Sequence, residues 1–134
     1  MRILLDTNIL ISAFALNSPR MLALIDAITQ QHTLVIPSYV TQELLEVTRR
    51  KFPLKVQQAE QFLLELPCEH FETPAKLDAS SYPDLRDPKD LPVLASAIEA
   101  DVDILLSGDG HFAPLDMTRP ETMTPAQFLA KYGQ

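Results

Sequence analysis

Ile3-Leu4-Leu5-Asp6-Thr7-Asn8 opens the chain with a short apolar run that ends on a carboxylate. The run is nearly continuous rather than alternating, so residues 2–6 read as a strand buried on both faces. Much later, Ile104-Leu105-Leu106-Ser107-Gly108-Asp109 repeats the pattern, with a strand expected over 103–107. A carboxylate just past a buried strand is well placed to line a ligand crevice.

Between these two strands the periodicity changes. Met21, Leu22, Leu24, Ile25 and Ile28 predict a helix over 20–31. Leu34-Val35-Ile36 reads as a second buried strand, stopped by Pro37, and Ser38 as the N-cap of the next helix. Val40, Leu44, Leu45 and Val47 give that helix an apolar face as far as Arg50, and Pro53 breaks it. A third helix is expected over 55–66, ended by Pro67. Cys68-Glu69-His70-Phe71-Glu72 then reads as a short, more polar edge strand. Residues 73–88, rich in Pro, Asp and Ser, read as a long loop that is either functional or mobile. A helix follows over 90–100. Pro92 is tolerated only in its first turn, which makes Asp90 an N-cap or first-turn residue. Residues 117–123 suggest a last strand. Thr124-Pro125 start a closing helix, with Gly133 just past its end.

The expected order is β-α-β-α-α-β-α-β-β-α. Such alternation predicts an α/β fold with a mostly parallel sheet and helices on both faces. The 134 residues suit one domain over 1–134, and no repeat or linker interrupts them.

Composition narrows the function. At 46% hydrophobic the chain is globular rather than disordered. The single Cys68 excludes an intramolecular disulfide and a cysteine-cluster zinc site. No apolar run approaches the roughly 18 residues of a membrane helix, and the start lacks signal-peptide features, so a cytoplasmic location is expected. The net charge of −7 argues against a simple basic surface for nucleic acid. It does not exclude a nuclease, because cations held by the acids would invert the local field. Arg49-Arg50-Lys51 form the basic cluster. It reads either as a solvated helix end complementing the macrodipole or as a phosphate-steering patch.

In an open parallel sheet, ligands bind beyond the carboxyl ends of the strands. Asp6 and Asp109 follow two different strands. Glu43 and Asp90 lie near the starts of helices that begin at the same edge. Topology thus places four carboxylates on one rim. Close carboxylates either raise one another's pKa or take up a cation. Mg²⁺ and Mn²⁺ prefer oxygen ligands, and one or two such ions can activate a water and stabilise the leaving oxygen of a phosphodiester. Each acid also has a plain alternative: Asp6 and Asp109 as turn residues, Glu43 as a surface residue, Asp90 as a cap. Asp87, before Pro88, competes for the helix start. Thr7, Asn8 and Ser107 serve either turn hydrogen bonds or the orientation of a carboxylate or bound water. His111 is the one histidine near the rim.

At these residues the chain resembles the PIN domain family over nearly its whole length. The carrying motifs are Leu4-Leu5-Asp6-Thr7-Asn8-Ile9-Leu10, Ser38-Tyr39-Val40 leading to Glu43-Leu44, Arg86-Asp87-Pro88-Lys89-Asp90, and Leu105-Leu106-Ser107-Gly108-Asp109. Thr124-Pro125-Ala126-Gln127-Phe128-Leu129 is similar to the ending of a bacterial branch, the VapC-like toxins of toxin–antitoxin pairs. The resemblance implies a three-layer α/β/α fold and an endoribonuclease dependent on Mg²⁺ or Mn²⁺. It implies Asp6, Glu43, Asp90 and Asp109 as catalytic metal ligands, a cognate antitoxin and a homodimer. The chain departs from many VapC toxins at Gly110-His111-Phe112, where those often carry a further Asp, so no fifth ligand carries over. The rival readings are a catalytically weak PIN fold acting in RNA binding or as a scaffold, and a receiver-like or haloacid-dehalogenase-like phosphotransfer domain. The second needs a Lys near the later strand, and Asp103 to Leu115 contains none.

Overall fold

Ile3, Leu4 and Leu5 have no exposed surface, which explains why their strand does not alternate: it lies in the middle of the sheet. The computed structural model describes residues 1–108, 112 and 117–133. Its elements run β1 (Arg2–Leu5), α1 (Thr7–Phe14), α2 (Pro19–Gln31), β2 (Thr33–Pro37), α3 (Ser38–Lys51), α4 (Val56–Glu65), β3 (Glu69–Phe71), α5 (Leu91–Glu99), β4 (Ile104–Leu106), β5 (Glu121–Met123) and α6 (Pro125–Tyr132). The five strands are ordered β3-β2-β1-β4-β5, and each neighbouring pair is parallel. Helices flank this sheet in the expected α/β/α arrangement. Ile9, Leu10, Leu24, Ile28, Val40, Leu44, Leu94 and Phe128 bring their apolar faces into one core with the strands.

The expected strands all form. One helix was not expected: α1 begins directly after Asp6, where the sequence suggests a turn. Ser38 also differs. It is the first residue of α3, and Pro37, which has no side-chain oxygen, holds the cap position. The 73–88 segment is tied down at several points. It contains short 3-10 turns at Ala79–Ser81 and, at its end, Pro88–Asp90. Tyr82 packs on the core and its hydroxyl donates to Glu99 Oε1 at 3.1 Å. The closing helix starts as expected, with a capping box between Thr124 and Gln127. Cys68 sits just before β3, packed against the core, and burial raises its thiol pKa. Among the described residues no single helix is long and apolar enough to cross a membrane.

The amino edge of the sheet is held by ion pairs. Arg2 forks onto Glu69 and also donates to Ala100 O at 2.9 Å. Arg119 pairs with Asp101 and Asp103, each at 2.8 Å. Asp103 Oδ2 accepts from the Arg2 backbone N–H at 2.7 Å. That bond, and then the Arg119 charge, hold the Asp103 carboxyl below its ordinary pKa.

Two outcomes are expected. Leu105, fully buried in β4, leaves a cavity in Leu105→Ala that costs about 2–5 kcal/mol in chemical denaturation. Because the folded pKa of Asp103 is lowered, its contribution is complete above the ordinary carboxylate range and is lost as pH falls through the folded value. Melting curves of Asp103→Asn should therefore lie below wild type at pH 7 and converge with it in acid.

Candidate active site at the carboxyl edge of the sheet

The strand order reverses between β1 and β4, because the chain moves outward through β2 and β3 before returning to β4. Such a switch point opens a crevice beyond the strands' carboxyl ends. Asp6 follows β1 there and Ser107 follows β4. The sheet's hydrogen bonds continue through both: Asp6 N donates to Leu106 O at 2.9 Å and Ser107 N to Met123 O at 3.1 Å. The backbones carrying the two side chains are therefore fixed by the sheet itself.

Asp6 is 7% exposed. Its Oδ2 accepts from Ser107 Oγ at 2.7 Å. Its Oδ1 accepts from Asn8 N at 3.2 Å, so the same carboxylate caps α1. Ser107 thus orients a carboxylate, one of the two roles open to it from sequence. Thr7 and Asn8 are not turn residues; they form the first turn of α1. Asn8 is exposed, whereas Thr7 is buried and its Oγ1 has no hydrogen-bond partner among the described residues.

Glu43 lies in the second turn of α3, half-buried. Tyr39, four residues earlier and on the same face, donates its phenol to Glu43 Oε2 at 3.3 Å. Burial raises the Tyr39 pKa, and the negative charges of Glu43, Asp90 and Glu46 raise it further. The phenol therefore stays a proton donor at neutral pH, with Glu43 and Asp90 both acting on it. Asp90 is the N-cap residue of α5 and half-buried. Its competitor Asp87 is exposed, and its Oδ1 accepts from Lys89 N at 3.0 Å in the turn before the helix. Asp87 caps the 3-10 turn that leads into α5, whereas the less exposed Asp90 holds the N-cap position of the helix itself. Tyr39 belongs to the site although sequence reasoning gave it no role. The i, i+4 spacing to Glu43 was the available signal.

Asp109 and His111 lie outside the described residues. Among the described residues, no group of three or more His, Cys, Asp or Glu stands close enough to hold a metal. Arg49, Arg50 and Lys51 occupy the last turn of α3. They lie six to eight residues beyond Glu43, or about 9–12 Å along the axis at about 1.5 Å per residue. Their charge complements the helix terminus, away from the switch point.

A family model described as PIN domain matches residues 2–111. Thirteen chains of solved structures match the fold. One belongs to the crystal structure of VapBC2 from Rickettsia felis bound to a DNA fragment from their promoter. It is 18% identical, with a TM-score of 0.71, and the match covers 92% of this chain and 98% of that one. At such identity the likeness speaks for the fold. Comparison with curated proteins gives no match.

The double duty of Asp6 has a measurable consequence without any metal. Asp6→Asn keeps a capping oxygen, and the Ser107 hydroxyl can reverse to accept from the new amide. Asp6→Ala loses both bonds and costs about 1 kcal/mol, within the usual 0.5–2 kcal/mol for a lost cap. Thermal melts of the metal-free variants should show Asn close to wild type and Ala clearly lower; equal losses would count against the capping role.

Proposed function

Because the chain belongs to the PIN domain family, we propose that it is an endoribonuclease dependent on Mg²⁺ or Mn²⁺, the toxin of a toxin–antitoxin pair. The observation that carries this reading is the seating of Asp6. It is a buried carboxylate at the switch point, with each oxygen held by a fixed donor.

The donor set fits a hard divalent cation. Asp6, Glu43 and Asp90 offer carboxylate oxygens, and the orphaned Thr7 Oγ1 next to Asp6 offers a buried hydroxyl. Mg²⁺ is ordinarily held by one or two carboxylates with waters and substrate phosphate rather than by an all-protein cage. A three-ligand cluster among the described residues is thus not required. Asp6, Glu43, Asp90 and, by family resemblance, Asp109 would hold one or two ions. Such ions supply an activated water and neutralise charge on the phosphodiester.

The chain's own groups perform the positioning. Ser107 Oγ and Asn8 N hold the Asp6 carboxylate in one orientation. The Tyr39 phenol does the same for Glu43. With an ion bound, these donors would be its outer-shell partners. A single-stranded or looped RNA, whose backbone is exposed, suits an open rim better than a duplex. Arg49, Arg50 and Lys51 would attract backbone phosphates beyond the scissile bond. With a net charge of −7, binding would lean on cations or on a partner. The partners in this reading are a cognate antitoxin and a second copy of the chain.

The test is incubation of the purified chain with end-labelled single-stranded RNA, or DNA of the same sequence, in Mn²⁺, Mg²⁺ or EDTA. Metal-dependent cleavage of RNA is expected. Asp6→Asn should lower the rate by more than about 100-fold, beyond the usual cost of an outer-shell change. Cleavage that survives EDTA or the Asp6→Asn change would overturn the reading. A chain that binds RNA without cutting it would favour the scaffold alternative.

A further inference from the structure

The start of α3 has a capping problem. Its cap position is Pro37, which makes no side-chain capping bond. The first backbone N–H groups of a helix need acceptors from elsewhere. The N–H of Tyr39 finds one 34 residues away: it donates to Thr73 Oγ1 at 3.0 Å. The contact is reciprocal, because Thr73 N donates to Ser38 Oγ at 2.9 Å. The pair repeats the logic of a capping box, but with a residue from the segment after β3.

Thr73 has a third contact. Ser96 Oγ donates to Thr73 Oγ1 at 2.9 Å. Ser96 lies in α5 and is fully buried. One threonine therefore ties the first turn of α3 to the middle of α5. These two helices carry Glu43 and Asp90. On α3 the tie ends at Tyr39, whose phenol meets Glu43 at 3.3 Å. On α5 it ends six residues past Asp90. The hydrogen-bonded path from Glu43 thus runs through Tyr39 and Thr73 into the helix that Asp90 begins.

We propose that Thr73 is a positioning residue for the metal site: it caps α3 in trans, pins α3 to α5, and so sets the placement of Glu43 relative to Asp90. This rests on the reading of Glu43 and Asp90 as metal ligands. Thr73 touches neither cation nor substrate. Its hydroxyl acts through the first turn of α3 and the middle of α5, and its effect appears as affinity for the ion.

The test compares Thr73→Val, which loses Oγ1 at nearly constant volume, with Thr73→Ser, which keeps it. Mn²⁺ binding to the full chain is measured by calorimetry well below the melting transition, beside Leu63→Ala, a core change on α4 away from the site. Thr73→Val should weaken Mn²⁺ binding by about tenfold, the lower end of the loss for partners bonded directly to a ligand. Thr73→Ser should restore most of that affinity. Leu63→Ala should lower the melting temperature and leave affinity in place. Unchanged affinity in Thr73→Val, or an equal loss in Leu63→Ala, would overturn the proposal while leaving the metal site standing. If wild type itself binds no Mn²⁺, the metal reading falls first and this one with it. Should Thr73→Val fail to fold, Ser96→Ala decides, because it keeps the α3 cap and cuts only the tie to α5. Weakened binding supports the tie and wild-type binding refutes it.

Discussion

A buried carboxylate must keep its oxygens hydrogen-bonded or leave the interior, and Asp6 meets that demand where the strand order reverses. Its partners come from two adjacent elements: Asn8 N opens α1, and Ser107 Oγ extends β4. Because β1 and β4 are parallel neighbours, they end at the same edge, which brings Ser107 beside Asp6. The first helix can start at once because Asp6 caps it. The order of the strands, the abrupt start of α1 and the orientation of the acid are one solution to one constraint.

Charge is distributed to match. At the amino edge, Arg2, Arg119 and Lys131 are committed to Glu69, to Asp101 and Asp103, and to Glu121. Exposed pairs of this kind contribute little to stability, about 0–1 kcal/mol each. Their effect on the rest of the surface is larger than their energy, because they occupy cations far from the rim. At the carboxyl edge Asp6 and Glu43 are held by neutral donors instead: a serine hydroxyl and a backbone amide for Asp6, a phenol for Glu43. Neutral donors fix a carboxylate without cancelling its charge, as a cation site requires.

Much of this was legible in the sequence. The apolar runs at 3–5, 34–36 and 104–106 gave the central strands, and their ends pointed to Asp6. Pro92 and Asp90 located the start of α5, and Thr124-Pro125 located α6. The failures share a physical cause. Helix α1 has eight residues, and its opening Thr7-Asn8 looks like turn chemistry because the capping residue is also the strand's last acid. Ser38 looks like a cap because its type and position are right, yet its hydroxyl serves the Thr73 amide. Thr73 itself sits among prolines and polar residues with no periodicity to mark it. A cap delivered across 34 residues leaves no local pattern.

The hydrogen bonds at the acids also bear on how a cation would be accepted. An ionised carboxylate offers about four lone-pair sites. The Asn8 and Ser107 bonds to Asp6 use one on each oxygen, and that from Tyr39 uses one on Glu43. Each oxygen so engaged keeps a second lone pair. On the proposed reading, a cation could then be added without breaking the contacts that orient these carboxylates, and the donors would become its outer shell. The partial positive charge at the start of α1 faces the Asp6 carboxylate that caps this helix, and it favours an anionic group there. Such a site would lose little conformational freedom on binding, because strand ends, helix caps and a trans cap have already ordered it. Its selectivity would then lie in oxygen donors of fixed direction, which favour a small hard ion with waters in its remaining positions.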